Sequence, residues 1–139
     1  MKNLIIFFII CFAAFSLLSC YASADSINWV HSYDEALSRA AKENKPIMTD
    51  FSAGWCGWCK KLDRETFADS KVIELSKKFV CLKINGDKDS DIVRKYGVSG
   101  YPTILFMDSK GNTIGGRPGY RGPDDMASEM NAILLKCKR

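Results

Sequence analysis

The chain has 139 residues, of which 47% are hydrophobic and 26% are charged, a composition typical of one globular domain and not of a disordered or fibrous protein. Its 20 lysine and arginine residues exceed its 16 aspartate and glutamate residues by a formal charge of +4, and no basic run is long enough to indicate a nucleic-acid-binding groove. The single histidine, His31, excludes mechanisms that need two imidazoles, whereas six cysteines in a chain of this length require an explanation.

Residues 1–24 have the pattern of an export signal and are left out of the predicted fold. A positively charged start precedes the apolar stretch 4–18, and Ala22-Ser23-Ala24 supplies a small-x-small cleavage site. Two alternatives stay open: lipidation at Cys20, and retention of the uncharged stretch as a membrane anchor. In each case we expect the remaining residues, 25–139, to work in the periplasm or as a secreted domain.

We expect residues 25–139 to form a single α/β domain with a mixed sheet and the element order βαβαβαββα. The order follows from helix-capping residues, prolines that end helices and the spacing of apolar residues. The elements in chain order are an extended segment at 25–30, a helix from the Ser32 cap to Asn44, a strand at 47–52, helical stretches from Cys56 and from the Ser70 cap, a strand at 80–85, a helix at 91–96, strands at 103–107 and 113–116, and a helix from Pro123. The two stretches that begin at Cys56 and Ser70 count as one helix in that order.

Cys56 and Cys59 stand where the predicted strand at 47–52 gives way to a helix. A cysteine at a helix N-terminus faces unpaired N–H groups and the positive end of the helix dipole, which stabilise its thiolate. Cys59 follows one turn later, so the spacing predicts Cys56 as an exposed nucleophile and Cys59 as the partner that resolves the mixed disulfide. The alternatives are a zinc or copper site, which would lack a second cysteine pair, and a structural bridge, which would stabilise little because its loop is so short.

Two further cysteines follow in the predicted domain. Cys81 alternates with apolar residues on the predicted strand at 80–85, and Cys137 falls on the apolar stripe of the last helix. We expect both to be buried thiols that behave as small hydrophobic residues. A structural disulfide between them is the alternative.

Two segments, in the same order along the chain, resemble the thioredoxin superfamily. Residues 50–60, Asp-Phe-Ser-Ala-Gly-Trp-Cys-Gly-Trp-Cys-Lys, resemble its strand, redox motif and helix start, and residues 96–103, Tyr-Gly-Val-Ser-Gly-Tyr-Pro-Thr, resemble its cis-proline loop. The run at 59–72 is most similar to the C-terminal periplasmic domain of the disulfide reductant DsbD and its small exported relatives. The resemblance implies a thioredoxin fold, with a central mixed β-sheet flanked by helices on both faces, and an exported thiol:disulfide oxidoreductase that reduces protein disulfides.

The resemblance also implies roles for residues near the motif. Asp50, the one charge on its apolar strand, matches the family's buried acid, which acts as general base to Cys59, and Lys83 matches the lysine that pairs near this acid. Pro102 matches the cis-proline that sets the Tyr101 backbone beside the disulfide, ready to pair with an extended substrate. An exposed Asp50, a solvated Lys83 and a trans proline in a turn are the alternatives.

The dipeptide between the cysteines, Gly57-Trp58, departs from the Gly-Pro of thioredoxins and from the Pro-His of strong oxidants. Because this dipeptide tunes the redox potential, a disulfide oxidase or isomerase is an alternative function. A chaperone or metal-binding module that uses the same fold without catalysis is another. We expect Trp55 and Trp58 to form an apolar rim beside the cysteines, or one of them to pack into the core.

The expected partners are proteins with thiols or disulfides and a membrane electron donor that regenerates the dithiol, since the chain has no flavin or nicotinamide motif of its own. We expect a monomer with no cofactor, no metal and no bound nucleic acid. The charged residues that follow Cys59, including Lys60 and Asp63, are expected to form a solvated helix face, and His31 to be a surface residue.

Overall fold

A computed structural model describes residues 25–138, and the predicted export signal at 1–24 lies outside the described residues. The elements within this range, in chain order, are β1 (Trp29–Val30), α1 (Tyr33–Glu43), β2 (Ile47–Ser52), α2 (Gly57–Glu65), α3 (Ser70–Ser76), β3 (Val80–Asn85), α4 (Ser90–Lys95), β4 (Thr103–Met107), β5 (Thr113–Pro118) and α5 (Pro123–Cys137). In the part of the chain that the structure describes, no helix combines the length and the apolar character needed to cross a membrane.

The five strands form one mixed sheet in the order β1-β3-β2-β4-β5. β1 and β2 both run parallel to β3, whereas β4 runs antiparallel to β2 and to β5. In this register Asp50 on β2 lies beside Lys83 on β3 and Ile104 on β4. Register partners on neighbouring strands project from the same face of a sheet, so Asp50 and Lys83 share one face.

Helices cover both faces of the sheet, which confirms the predicted fold class. Successive residues of a strand point to opposite faces, and on β2 Ile47 and Met48 therefore enter two different core clusters. Met48 packs with residues of α2, α3 and α5, whereas Ile47 packs with residues of α1. Burying an aliphatic or aromatic side chain of this kind stabilises the fold by about 1.5–3 kcal/mol. Packing on both faces therefore stabilises the central strands.

Of the helix caps predicted at Ser32 and Ser70, the first is confirmed and the second is wrong. Ser32 caps α1 as predicted, because its side chain accepts a hydrogen bond from the Glu35 N–H at 3.3 Å. The prediction that Ser70 caps the next helix is wrong, since Ser70 is the first residue of α3 and Asp69 is its N-cap. Asp69 has the extended backbone that an N-cap requires, and its carboxylate accepts from two N–H groups of the first turn.

Within residues 25–138, the two cysteines outside the motif, Cys81 and Cys137, are both free thiols, so the alternative of a disulfide between them is wrong. Cys81 is buried as predicted, and burial raises the pKa of its thiol to about 12. Cys137 is exposed, contrary to prediction. The buried stripe of α5 ends at Ile133 and Leu135 is already 63% exposed, because the last turn of the helix extends past the packed layer.

Candidate active site

Cys56 and Cys59 are joined by a disulfide at the N-terminus of α2, with their Cα atoms 5.3 Å apart. Cys56 is the N-cap residue, with an extended backbone, and its Sγ accepts a hydrogen bond from the Cys59 N–H at 3.1 Å. Gly57 begins the helix and is exposed. The sulfur of Cys56 thus occupies the place where the helix dipole and free N–H groups stabilise negative charge.

Both sulfur-bearing residues are buried in the disulfide form. Cys59 is 3% exposed and Cys56 is 5% exposed, so the prediction of an exposed Cys56 does not describe this state. The reason is that the disulfide packs against Ala53 and the ring of Tyr101.

The two tryptophans of the motif lie outside the core: Trp55 is 71% exposed and Trp58 is 59% exposed. The Trp55 ring stands edge-on to Tyr101, with the ring centroids 6.0 Å apart. Its Nε1–H donates a hydrogen bond to the Asp87 carboxylate at 3.2 Å. Asp87 therefore holds the Trp55 ring against Tyr101. Asp87 was not identified from the sequence, because it lies in a polar loop that has no recognisable pattern.

Trp58 belongs to a separate aromatic pair on the other side of the motif. Its ring centroid lies 5.7 Å from that of Tyr120, and the Lys61 ammonium lies 5.2 Å from the Trp58 centroid and 5.0 Å from the Tyr120 centroid. The Tyr120 hydroxyl donates to the Glu65 carboxylate at 2.8 Å. Such cation–π and aromatic contacts hold an exposed indole in one orientation.

The peptide bond between Tyr101 and Pro102 is cis. The loop is fixed from inside the protein, because the Pro102 carbonyl accepts from the Gly119 N–H at 2.8 Å and the Thr103 hydroxyl donates to the Gly100 carbonyl at 2.8 Å. Within residues 25–138, the backbone N–H and carbonyl of Tyr101 form no hydrogen bond. These two groups are therefore free to pair with an extended chain at the disulfide.

Asp50 lies on β2, six residues before Cys56, and is only 1% exposed. Its Oδ2 lies 3.2 Å from the Lys83 ammonium, whereas its Oδ1 is buried and has no hydrogen-bond partner among the described residues. Burial raises the pKa of Asp50 to about 6, and the positive charge of Lys83 opposes this rise. The carboxyl can therefore change its protonation state close to neutral pH.

Lys83 bridges two carboxylates, since its ammonium also lies 2.6 Å from Oδ1 of Asp63. Burial favours the neutral amine, but both carboxylates outweigh it and leave the pKa of Lys83 above its ordinary value. Asp63 is exposed, as predicted for this helix face, and its ion pair with Lys83 is a contact that the sequence analysis did not include. The sequence feature that could have predicted this contact is the position of Asp63 four residues after Cys59, which puts both side chains on one face of α2.

A cavity of about 360 Å³ opens beside Cys59. Its walls include His31, Lys60, Asp63 and Lys83, so His31, which is exposed as predicted, lines the same cavity as Cys59. Solvent in this cavity reaches the ion-paired end of Lys83. Within residues 25–138, the histidine, cysteine, aspartate and glutamate side chains form no group of three that could hold a metal ion.

Comparison with known proteins identifies the family. Residues 33–134 match the family model described as a thioredoxin-like domain. The chain belongs to the thioredoxin-like family. This confirms the sequence resemblance and assigns the Cys56–Cys59 pair to a thioredoxin-like thiol:disulfide oxidoreductase.

Relatives with two kinds of name match this thioredoxin-like domain. It is 41% identical over 95 residues to "Protein disulfide isomerase-like 2-2" of Oryza sativa subsp. japonica, which covers 68% of this chain and 25% of the rice protein. It is 27% identical over 99 residues to "Thiol:disulfide interchange protein DsbD" of Campylobacter jejuni strain RM1221, which covers 68% of this chain and 18% of that protein. The matches thus span a quarter or less of both relatives.

A solved structure has the same fold. The thioredoxin from Thermus thermophilus superposes with a TM-score of 0.72 at 25% identity, covering 81% of this chain and 90% of the thioredoxin. The thioredoxin fold and its mixed five-stranded sheet are therefore common to the two proteins.

Proposed function

We propose that the protein is an exported oxidoreductase that reduces disulfides in other proteins, with Cys56 as the nucleophile and Cys59 as the resolving cysteine. The observation that carries the proposal is the placement of the Cys56 sulfur at the N-cap of α2, one turn before Cys59. The name of the DsbD relative, a thiol:disulfide interchange protein, supports this reaction class. Export after removal of residues 1–24, and work as a monomeric periplasmic domain, are parts of the same proposal.

The reaction consists of two thiol–disulfide exchanges. The Cys56 thiolate attacks one sulfur of the client disulfide, which forms a mixed disulfide and releases the other client sulfur as a thiolate. The Cys59 thiolate then attacks the sulfur of Cys56, which releases the second client sulfur. Two electrons pass to the client, and the protein is left with the Cys56–Cys59 disulfide seen in the structure.

The second exchange requires that Cys59 lose its proton inside the protein. Asp50 is suited to accept it, because one of its carboxylate oxygens is buried without a partner among the described residues and its pKa of about 6 lets it bind a proton near neutral pH. A bridging water would carry the proton between the two side chains. Lys83 and Asp63 would then set how strongly Asp50 holds it.

Client binding is proposed at the cis-proline loop. The free backbone groups of Tyr101 would pair with an extended client segment, and Pro102 has no N–H to compete with that pairing. Trp55 and Trp58, both exposed, would contact the client on either side of the disulfide. A membrane-embedded donor of electrons would return the cysteines to the dithiol.

The rice relative supports a second candidate, because its name is that of a disulfide isomerase. An isomerase or oxidase would use the same cysteines with a higher reduction potential. The equilibrium potential of the Cys56–Cys59 pair, followed by tryptophan fluorescence in glutathione or dithiothreitol buffers, separates the candidates. A value near −270 mV, roughly that of thioredoxin, supports the reductase, and a value near −120 mV, roughly that of DsbA, supports an oxidant.

The control for this titration is the Cys56→Ser variant, which should show no transition because it cannot form the disulfide. If the unmodified protein also shows no reversible transition, a redox function is excluded. A binding module with the thioredoxin fold would then be the better description.

A further inference from the structure

Arg121 lies in the segment between β5 and α5 and is 1% exposed. Among the described residues it has the largest fully buried side chain. Its Nε lies 2.6 Å from a carboxylate oxygen of Glu129 on α5. The two Nη groups donate to backbone carbonyls, one to Gly119 at 3.2 Å and one to Arg117 at 2.8 Å. The guanidinium thus joins α5 to the end of β5 and to the residue that follows β5.

Gly119, the residue that follows β5, contacts the loop that carries the cis-proline. Gly119 accepts a hydrogen bond from Arg121 through its carbonyl, and its own N–H donates to the Pro102 carbonyl at 2.8 Å. Gly119 has a φ of 97°, in the left-handed region that favours glycine. Two hydrogen bonds therefore fix the orientation of the Gly119 peptide groups: the one from Arg121 to its carbonyl and the one from its N–H to Pro102.

A second contact links Arg121 to the redox helix. The Arg121 carbonyl accepts a hydrogen bond from the Thr66 hydroxyl at 2.6 Å, and Thr66 is the fully buried C-cap residue of α2. The N-cap of the same helix is Cys56. One residue therefore contacts both structural parts of the site: the helix that carries the cysteines and, through Gly119, the loop that carries Pro102.

An arginine suits this task better than a lysine or an apolar residue. Its planar group donates several hydrogen bonds in fixed directions, whereas an ammonium acts as a point charge and an apolar side chain donates to neither carbonyl. A buried ion pair is often no more stabilising than well-packed apolar residues of the same volume. The directed contacts of Arg121 therefore indicate a positional role.

We propose that Arg121, held by Glu129, is a positioning residue that sets the Pro102 loop relative to α2 and so determines how well an extended client chain pairs with Tyr101. The inference rests on the proposed function for its consequence in catalysis. Its structural core, control of the Gly119–Pro102 contact by Arg121, can be measured separately.

The kinetic test compares two substrates that release the same leaving group, 2-nitro-5-thiobenzoate. One is a decapeptide with a central cysteine linked to this group, long enough to pair with Tyr101, and the other is Ellman's reagent, which has no peptide chain. The full chain carries Cys11→Ser, Cys20→Ser and Cys137→Ser, so that the motif supplies the reactive thiols; it is reduced, and single turnovers are followed by absorbance. In Arg121→Lys we expect the half-saturating peptide concentration to rise about tenfold with a limiting rate within about twofold of the unmodified value.

In the same variant the rate of reaction with Ellman's reagent should stay within about twofold of the unmodified value, and the equilibrium reduction potential should be unchanged within error. Neither quantity depends on the peptide-pairing site. The matched control is Arg94→Lys, at an exposed position of α4, for which both substrates should react as before. Equal losses for both substrates in Arg121→Lys, or no loss for the peptide, would overturn the proposal. The milder Glu129→Gln variant, which keeps an oxygen acceptor, should show the same pattern with a smaller change and serves if Arg121→Lys does not fold.

Hydrogen exchange at single amides decides the structural core without any activity. In Arg121→Lys we expect the Gly119 amide to exchange about tenfold faster or more, while amides of β2 keep their protection. Unchanged exchange at Gly119 would show that Arg121 does not control the loop. If the unmodified protein reacts with neither substrate, the proposed function fails, but this measurement still accepts or rejects the role of Arg121.

Discussion

The Lys83 ammonium lies 3.2 Å from the carboxylate of Asp50, a side chain of β2 that is almost completely buried. Lys83 is itself shared with Asp63, whose carboxylate is 2.6 Å away and more exposed. The positive charge is thus divided between two acids, and it offsets only part of the cost of burying Asp50. This explains why the pKa of Asp50 is raised to about 6 despite an adjacent lysine.

Asp50→Asn should stabilise the disulfide form at neutral pH. Because the folded state raises the pKa of Asp50 from 3.8 to about 6, it binds the proton more tightly than the unfolded chain does. Stability is therefore lost as the pH rises between these two values, and the variant avoids that loss. We expect the free energy of unfolding to rise by up to about 3 kcal/mol at neutral pH, with no difference near pH 4.

The free energy of unfolding is measured by urea denaturation of the unmodified protein and of Asp50→Asn between about pH 4 and neutral pH. Asp91→Asn is the matched control, because Asp91 is exposed and lies outside the Lys83 ion pairs, so it should show no such gain at neutral pH. A constant stability difference at all pH values would indicate a packing effect and not the ionisation of Asp50.

Asp50→Ala should slow the second exchange of the reaction more than the first. Without the carboxylate, Cys59 loses its proton acceptor, whereas the attack of the Cys56 thiolate on the client is unaffected. We expect resolution of the mixed disulfide to slow by about 10²-fold or more, as followed by stopped-flow trapping of the mixed disulfide. Equal slowing of formation and resolution would remove Asp50 from this role.

Lys83→Met should move the pH dependence of resolution to higher pH. Lys83 lowers the pKa of Asp50 through its charge and its hydrogen bond, so its removal lets burial raise that pKa further. The rate of resolution, which needs the ionised carboxylate, should then reach half its maximum at a higher pH than in the unmodified protein. Lys78→Met, at an exposed site, is the control, and a profile that stays in place in Lys83→Met would contradict the coupling.

Gly86→Ala should displace Tyr101 from the disulfide. A Cβ at position 86 would overlap the hydroxyl end of the Tyr101 ring, so the end of the ring must move. We expect a loss of stability of about 1–3 kcal/mol and faster reduction of the disulfide by dithiothreitol. Gly54→Ala, whose added Cβ meets nothing within 4 Å, is the control and should leave the rate of reduction unchanged.

The free cysteines should differ in reactivity. In a chain with Cys11→Ser and Cys20→Ser, native oxidised protein should react with Ellman's reagent at Cys137 but not at Cys81, because only Cys137 is exposed. Burial also keeps the Cys81 thiol protonated, with a pKa of about 12. Cys81 should react only after unfolding, and rapid labelling of Cys81 in the native protein would contradict its burial.

Much of the fold and the centre of the site follow from local sequence. The motif at a strand-to-helix junction predicts the disulfide between Cys56 and Cys59, because both the capping position and the one-turn spacing are properties of a single helix. Strand and helix positions follow in the same way from apolar spacing, prolines and caps such as Ser32. These features depend on interactions between residues that are at most a few positions apart.

The tertiary structure decided what depends on segments far apart in the chain. The contact between Lys83 and Asp63 requires β3 beside α2, the burial of Cys56 requires the Tyr101 loop, and the buried Arg121 requires α5 behind the cis-proline loop. Cys137 shows the same limit, since its helical periodicity is apolar but the layer it would pack against ends earlier. Periodicity shows which residues share a face of one element, whereas burial and ion pairing depend on which element faces it and how far that element extends.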